Sequence, residues 1–250
     1  MSLKNRDFIR KKLINKHICA LQRHRTSNMK ISLVYTGVTK ELSECVEKEI
    51  GKQVPGAEIV SHKDPSIIQD AVKAGYVPKE AAARLVKMFM ESVEEGADAI
   101  LNICSSVGLV ADACQDIAKF TGVPIVCIDE EMCREAVRQG KRIGVMATLP
   151  TTLIPTKSTI LRLAQDMDRH VELVDSLVEG GFGLDQDKFK ELMTRYALEI
   201  KDKVDVIVFA QGSMAYAEED IRKATGKEVL SSPKFGAIGL RRALEVKGLI

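Results

Sequence analysis

The sequence has no run of eighteen or more apolar residues, and no apolar N-terminal stretch leads to a small-residue cleavage site. These absences argue against a helical membrane span and a secretory signal, so a cytoplasmic protein is expected. The six cysteines, Cys19, Cys45, Cys104, Cys114, Cys127 and Cys133, form no Cys-x-x-Cys pair and no Cys/His cluster of zinc spacing. A disulfide framework is therefore not expected, and the default reading of each cysteine is a free thiol serving as a small buried hydrophobe. No phosphate loop or Gly-x-Gly-x-x-Gly follows the first apolar run, so no nucleotide is expected, and no metal site is expected either. The Gly-x-nucleophile-x-Gly elbow is missing too, which weakens a hydrolase reading. A dominant charge sign is also lacking. Charged residues make up 29% of the chain but cancel to +2, so the molecule as a whole has no strong field to draw nucleic acid or a membrane surface.

What is present is enough for a proper core: 250 residues, 45% of them apolar, fitting one large domain or two modest ones. Residues 1–28 stand apart, with Lys4, Arg6, Arg10, Lys11, Lys12, Lys16, Arg23 and Arg25 against Asp7 alone. That is a net +7, leaving −5 for the remainder. Three readings compete: a start extended upstream of Met29, an organelle presequence, and a basic binding segment. The first folding signal, Lys30-Ile31-Ser32-Leu33-Val34-Tyr35, begins directly after Met29, so the basic segment is expected to lie outside the fold.

From there on, short β-branched runs alternate with segments of helical period, the pattern of βαβ units and a mostly parallel sheet. Strands are predicted near 31–36, 57–62, 98–103, 123–128, 142–147, 170–175, 205–210 and 227–231. The longest helix is predicted over 78–96, between Pro78 and Gly96. An internal repeat is visible. Residues 30–39 lie over 142–151 at an offset of 112, each strand ending in Thr-x-x-Thr, and 97–101 lie over 204–208 at an offset of 107. The expected fold is α/β, with two pseudo-symmetric Rossmann-like halves of mostly parallel four-stranded sheets and an active-site cleft between them. The halves are placed at 29–135 and 136–232, with a C-terminal helix over 233–250 packing back on the first.

Ligands of open α/β sheets bind beyond the carboxyl ends of the strands, where helix N-termini offer free N–H groups. Cys104 follows Ala99-Ile100-Leu101-Asn102-Ile103 and precedes Ser105-Ser106-Val107-Gly108, a strand-end position where a helix dipole lowers a thiol pKa. Cys45, Cys114, Cys127 and Cys133 sit in helical or core settings. Hydroxyls recur at the other strand ends: Thr36 and Thr39, Ser105 and Ser106, Thr148, Thr151 and Thr152, and Ser213. Each alone is an ordinary N-cap; several aimed at one crevice would hold a carboxylate without an arginine. His62 and Asp64, at another strand end, could assist Cys104. Asp129-Glu130-Glu131 reads as the usual acidic start of a helix.

These turns resemble those of the aspartate/glutamate/hydantoin racemase superfamily, which also contains maleate isomerase and arylmalonate decarboxylase. The resemblance spans about residues 30–248. Asn102-Ile103-Cys104-Ser105-Ser106 resembles the first catalytic-cysteine turn, Gly144 through Thr152 the threonine-rich turn opening the second half, and Val206 through Met214 the second catalytic-cysteine turn. In that last turn the chain departs from the racemases, having Ser213 after Gly212 where they carry cysteine.

The resemblance implies a cofactor-independent racemase or isomerase acting by proton transfer next to a carboxylate or amide of a small molecule. Cys104 and Ser213 would be the catalytic pair, with Thr36, Ser105, Ser106, Thr148, Thr151, Thr152, Gly212 and Met214 binding the substrate. A two-thiol mechanism needs an acid and a base tuned near neutrality, which an unassisted serine does not supply. A one-cysteine decarboxylase, a maleate-type isomerase, and a small-carboxylate-binding protein without turnover therefore remain as alternatives. The expected partner is a small carboxylate, with no nucleic acid or membrane; a homo-oligomer is left open.

Overall fold

The computed structural model describes residues 29–181 and 184–250, so the basic segment 1–28 lies outside the described residues. In the first half β1 (Lys30–Tyr35), α1 (Lys40–Gln53), β2 (Glu58–Lys63), α2 (Pro65–Ala74), α3 (Lys79–Glu94) and β3 (Ala99–Asn102) follow in order. A 3-10 turn (Ser105–Val107) then runs into α4 (Gly108–Thr121), followed by β4 (Ile125–Cys127) and α5 (Glu130–Gln139). The second half repeats the plan: β5 (Arg142–Ala147), α6 (Pro150–Asp166), β6 (Glu172–Leu177), α7 (Gln186–Ile200) and β7 (Val206–Phe209). Its own 3-10 turn (Gly212–Ala217) leads into α8 (Glu218–Thr225), β8 (Glu228–Leu230) and α9 (Ser232–Val246).

The strands form two four-stranded sheets, ordered β2-β1-β3-β4 and β6-β5-β7-β8, with every pairing parallel. Central β3 and β7 are buried along their whole length, which is why their sequences are continuous apolar runs rather than alternating ones. The repeat seen in the sequence is the register of the sheets. Val34 pairs with Asn102 in the first sheet and Met146 with Phe209 in the second, positions related by the offsets 112 and 107. Both sheets are pinned at the other end by one device. The Lys30 N–H donates to the Asp98 carboxylate at 3.0 Å and the Arg142 N–H to that of Asp205 at 2.9 Å.

The helices that close the two halves are exchanged. On α5, Met132, Cys133, Ala136 and Val137 are buried against β5, α6 and β7 of the second sheet. On α9, Ala237, Leu240 and Leu244 are buried against β1, β3 and α1 of the first. Gly236 makes the second docking possible, because a Cβ there would come 2.6 Å from the Ile128 side chain. A boundary between 135 and 136 thus falls inside a helix that packs with the second half. The other faces are covered locally, by α2, α3 and α4 on the first sheet and by α7 and α8 on the second.

Candidate active site

Each turn at the carboxyl end of a central strand contacts the other half. The turn Ser105–Val107 packs against α6 of the second half, and the turn Gly212–Ala217 packs against α1 of the first, a reciprocal arrangement that follows from the repeat. Gly212 is required by this approach: a Cβ would stand 3.1 Å from Leu42 Cδ1 on α1 and 3.1 Å from Ser232 Oγ on α9. Close packing of the halves at this point requires a residue without a Cβ.

Cys104 is the N-cap residue of its turn, half-buried, with no side-chain cap on the turn's N–H groups. Its backbone carbonyl accepts from Asn102 Nδ2 at 3.1 Å, which fixes the turn. Burial pushes the thiol up from its ordinary value; the Thr36 hydroxyl and the N–H groups of Val107 and Ser106 pull it down, and Asp129 adds to the rise. The net direction is upward, opposite to the expectation from the helix dipole. The dipole of one short turn does not offset the loss of water around an anion.

Thr36, at the end of β1, is wholly buried, and its hydroxyl faces the thiol without completing a hydrogen bond of full geometry. Ser106 Oγ, Asn102 Oδ1, Thr151 Oγ1 and Ser232 Oγ are likewise buried without a partner. Leaving a buried polar atom unpaired costs about 1–3 kcal/mol, so such a concentration at strand ends marks where a polar ligand belongs. The backbone agrees. Helix α6 starts at Leu149 without a side-chain cap, whereas α2 and α7, which follow edge strands, are capped by Asp64 and Asp185. None of the turns 36–39, 104–108, 148–152 and 211–214 contains an arginine or lysine. A carboxylate here would be held by hydroxyls and N–H groups at helix starts.

The second half answers Cys104 with Gln211. Ile103 donates its N–H to the Val34 carbonyl at 2.9 Å and Ala210 donates its own to Met146 at 2.9 Å, so Cys104 and Gln211 are the next residues of equivalent strands. Both are N-caps of the following 3-10 turn in extended conformation. Ser213 corresponds to Ser106, and it is exposed. Within the repeat it is Gln211, not Ser213, that takes the position of Cys104. Gln211 is tied to Thr148, the counterpart of Thr36. Its Oε1 accepts from the Thr148 N–H at 2.7 Å and its Nε2 donates to Thr148 Oγ1 at 2.6 Å.

Other expected residues are placed elsewhere. Met214 is buried in the second core beside Phe209 and Ala217. The Thr152 hydroxyl donates to the Leu149 carbonyl at 2.8 Å, a local helix-start bond. His62 and Asp64 line a separate small pocket with Arg84, Lys87 and Met88, where His62 Nε2 lies 3.3 Å from Glu95 and Asp64 lies 3.4 Å from Arg84. Both stand at the end of the edge strand β2, with partners on α3 and at Glu95.

Sequence reasoning passed over Asp129. Only 3% exposed, it ends β4 beside Cys104 and is held by the Ser105 hydroxyl; burial raises its carboxyl above the usual range. Behind it, ligand atoms of Asp112, Cys127 and Glu130 lie within 4.8 Å of one another. Arg162 from α6 already balances their charge, 3.0 Å from Asp112 and 3.9 Å from Glu130, so this trio reads as an ion-pair contact between halves. No helix among the described residues is long and apolar enough to cross a membrane.

Residues 36–237 match the family described as Asp/Glu/hydantoin racemase. The chain belongs to this family. Membership makes it a racemase-like isomerase, and the two-half fold is that of solved relatives. Allantoin racemase from Klebsiella pneumoniae is 20% identical with a TM-score of 0.62, the match covering 89% of each chain. Glutamate racemase from Bacillus anthracis is 19% identical with a TM-score of 0.68, covering 90% of this chain and 84% of that one. An arylmalonate decarboxylase is 14% identical with a TM-score of 0.52, covering 88% and 92%. A comparison with curated proteins finds no match.

Proposed function

We propose that this racemase-family protein moves a proton at the carbon next to a carboxylate or amide of a small molecule, without a cofactor, using Cys104. The observation that carries the reading is the setting of this thiol at an uncapped turn, beside buried hydroxyls that have no partner. The substrate carboxylate would be held by Ser106, Thr151 and the N–H groups opening α6. As the carbon loses its proton to the sulfur, the electron pair passes into the carboxylate or amide, and donors already in place stabilise the charge that develops. A buried thiol is a stronger base once ionised, and the Thr36 hydroxyl with the N–H groups of Ser106 and Val107 supports the thiolate. Ser105 would act with Asp129 to fix the turn, and Ser213 would stand at the cleft mouth.

The test is deuterium incorporation from heavy water, followed by NMR, with both enantiomers of aspartate and glutamate and with 5-substituted hydantoins. Exchange should fall by about 10²–10⁴ in Cys104→Ser, the usual contribution of a positioned acid or base. Exchange that survives that substitution unchanged would overturn the reading. Decarboxylation of a malonate is the second reading, favoured by Gln211, because that reaction needs only one proton delivered.

A further inference from the structure

Resting on the role proposed for Cys104, we infer that Gln211 confines the chemistry to one face of the substrate, so that the protein transfers protons without inverting the reacting carbon. Inversion requires that the proton leave from one face and that another return from the opposite face, and so it requires a titrating group on each side of the cleft. The pseudo-symmetry identifies where the second group would stand. Cys104 and Gln211 follow equivalent strands, cap equivalent turns and lie beside equivalent threonines.

A carboxamide donates and accepts hydrogen bonds but does not exchange a proton as a thiol does. Here it is also fixed: Thr148 holds its oxygen at 2.7 Å and its nitrogen at 2.6 Å, leaving one N–H and one lone pair for a ligand. The other groups the second half brings to the cleft, Thr148, Thr151, Ser213 and Ser232, are hydroxyls. The nearby carboxylate, Glu218, is engaged by Ser231 and by Arg222 at 2.7 Å.

The proton balance follows. A proton passes from carbon to the Cys104 thiolate, the electron pair is held as the enolate, and the same thiol returns a proton from its own side. Reactions that suit such a site need one face only: a proton shift in an unsaturated carboxylate, where the thiol that takes the proton returns it on the same face, or loss of carbon dioxide from a malonate, where the C–C bond breaks, its electron pair passes into the enolate and the Cys104 thiol delivers one proton.

The experiment compares wild type with Gln211→Cys in heavy water, using the separate enantiomers of aspartate, glutamate and 5-benzylhydantoin. The hydantoins are corrected for spontaneous racemisation. Wild type is expected to exchange the α-proton of one enantiomer with retention. In Gln211→Cys the opposite enantiomer should appear about 10²-fold faster than in wild type. Wild-type exchange that depends on Cys104 yet yields both enantiomers would overturn this inference and leave the Cys104 reading standing.

Iodoacetamide uptake provides a readout independent of turnover. Gln211→Cys should add one reactive thiol to the wild-type count, and malonate should slow its alkylation. An added thiol that is inert, or that malonate does not protect, would show that position 211 does not face the cleft and would overturn the inference as well.

Discussion

Thr36 and Thr148 close equivalent strands in the two halves, but their surroundings differ. Thr36 is buried against a thiol with its hydroxyl unsatisfied, while Thr148 and Gln211 satisfy one another through two short hydrogen bonds. The same scaffold position is thus left open in the first half and closed in the second. A buried hydroxyl without a partner is a standing cost that a ligand can repay, and at this pair of positions only the one beside Cys104 is left open. Duplication has preserved geometry here and not chemistry: the first half supplies the group that titrates, the second a rigid neutral wall.

The sharpest way to break this comparison is to remove each side in turn. Cys104→Ala should lower isotope exchange by about 10²–10⁴, whereas Gln211→Ala should lower it by no more than about tenfold. Equal losses would make the two halves equal partners.

Stability should reverse the order. Thr148→Val removes the partner of Gln211 Nε2 and should cost about 1 kcal/mol, roughly 2–4 °C in a thermal melt of a chain this size. Thr36→Val deletes a hydroxyl that has no partner and should leave the melt unchanged or raise it.

A smaller effect concerns the thiol itself. Burial, first, and the Asp129 charge, after it, hold Cys104 up, so Asp129→Asn should move the pH profile of Cys104 alkylation downward. Thr36→Val removes a group that favours the thiolate and should move the profile upward. Profiles that stay in place would mean that neither residue acts on the sulfur.

The smallest expected effect lies at the strand starts. Asp205 is held at about 2, first by the Arg142 guanidinium and then by the N–H groups of Arg142 and Lys141. A carboxyl depressed in the folded state stabilises it fully above the unfolded pKa near 4, and that contribution is lost as pH falls through about 2. With a third of the side chain exposed, solvent screening limits it to about 1 kcal/mol or less. Asp205→Asn should therefore flatten the acid limb of a stability-against-pH curve between about pH 4 and 2. An acid limb identical to that of wild type would remove the pair from the account.

The strands and the repeat were legible in the sequence because buried parallel strands are written as short apolar runs between breakers. The position of Cys104 was legible for the same reason, as the residue where such a run meets a helix start. Gln211 was not. Gly212 served as the landmark of its turn, but register is set by the hydrogen bonds of Ile103 and Ala210, and these make Gln211 the partner of Cys104. Met214 was misplaced because a 3-10 turn aims its third residue at the core, which spacing along the chain does not reveal. Asp129 has the signature of an ordinary acidic helix start. It is buried because α5 leaves its own sheet for the other one, a tertiary event with no local mark.

That crossing has a consequence for how the chain is made. The apolar face formed by Ile31, Leu33, Ala99 and Leu101 is closed by Ala237, Leu240 and Leu244 of α9, a helix that is translated only after the strands of both sheets. The first half cannot finish as an independent unit during synthesis, as N-terminal domains ordinarily do. Its sheet waits, covered on that side by α1 alone, until α9 has been translated. A nascent chain stalled before residue 232 should expose part of that face to chaperones, and release of α9 should close it in one step.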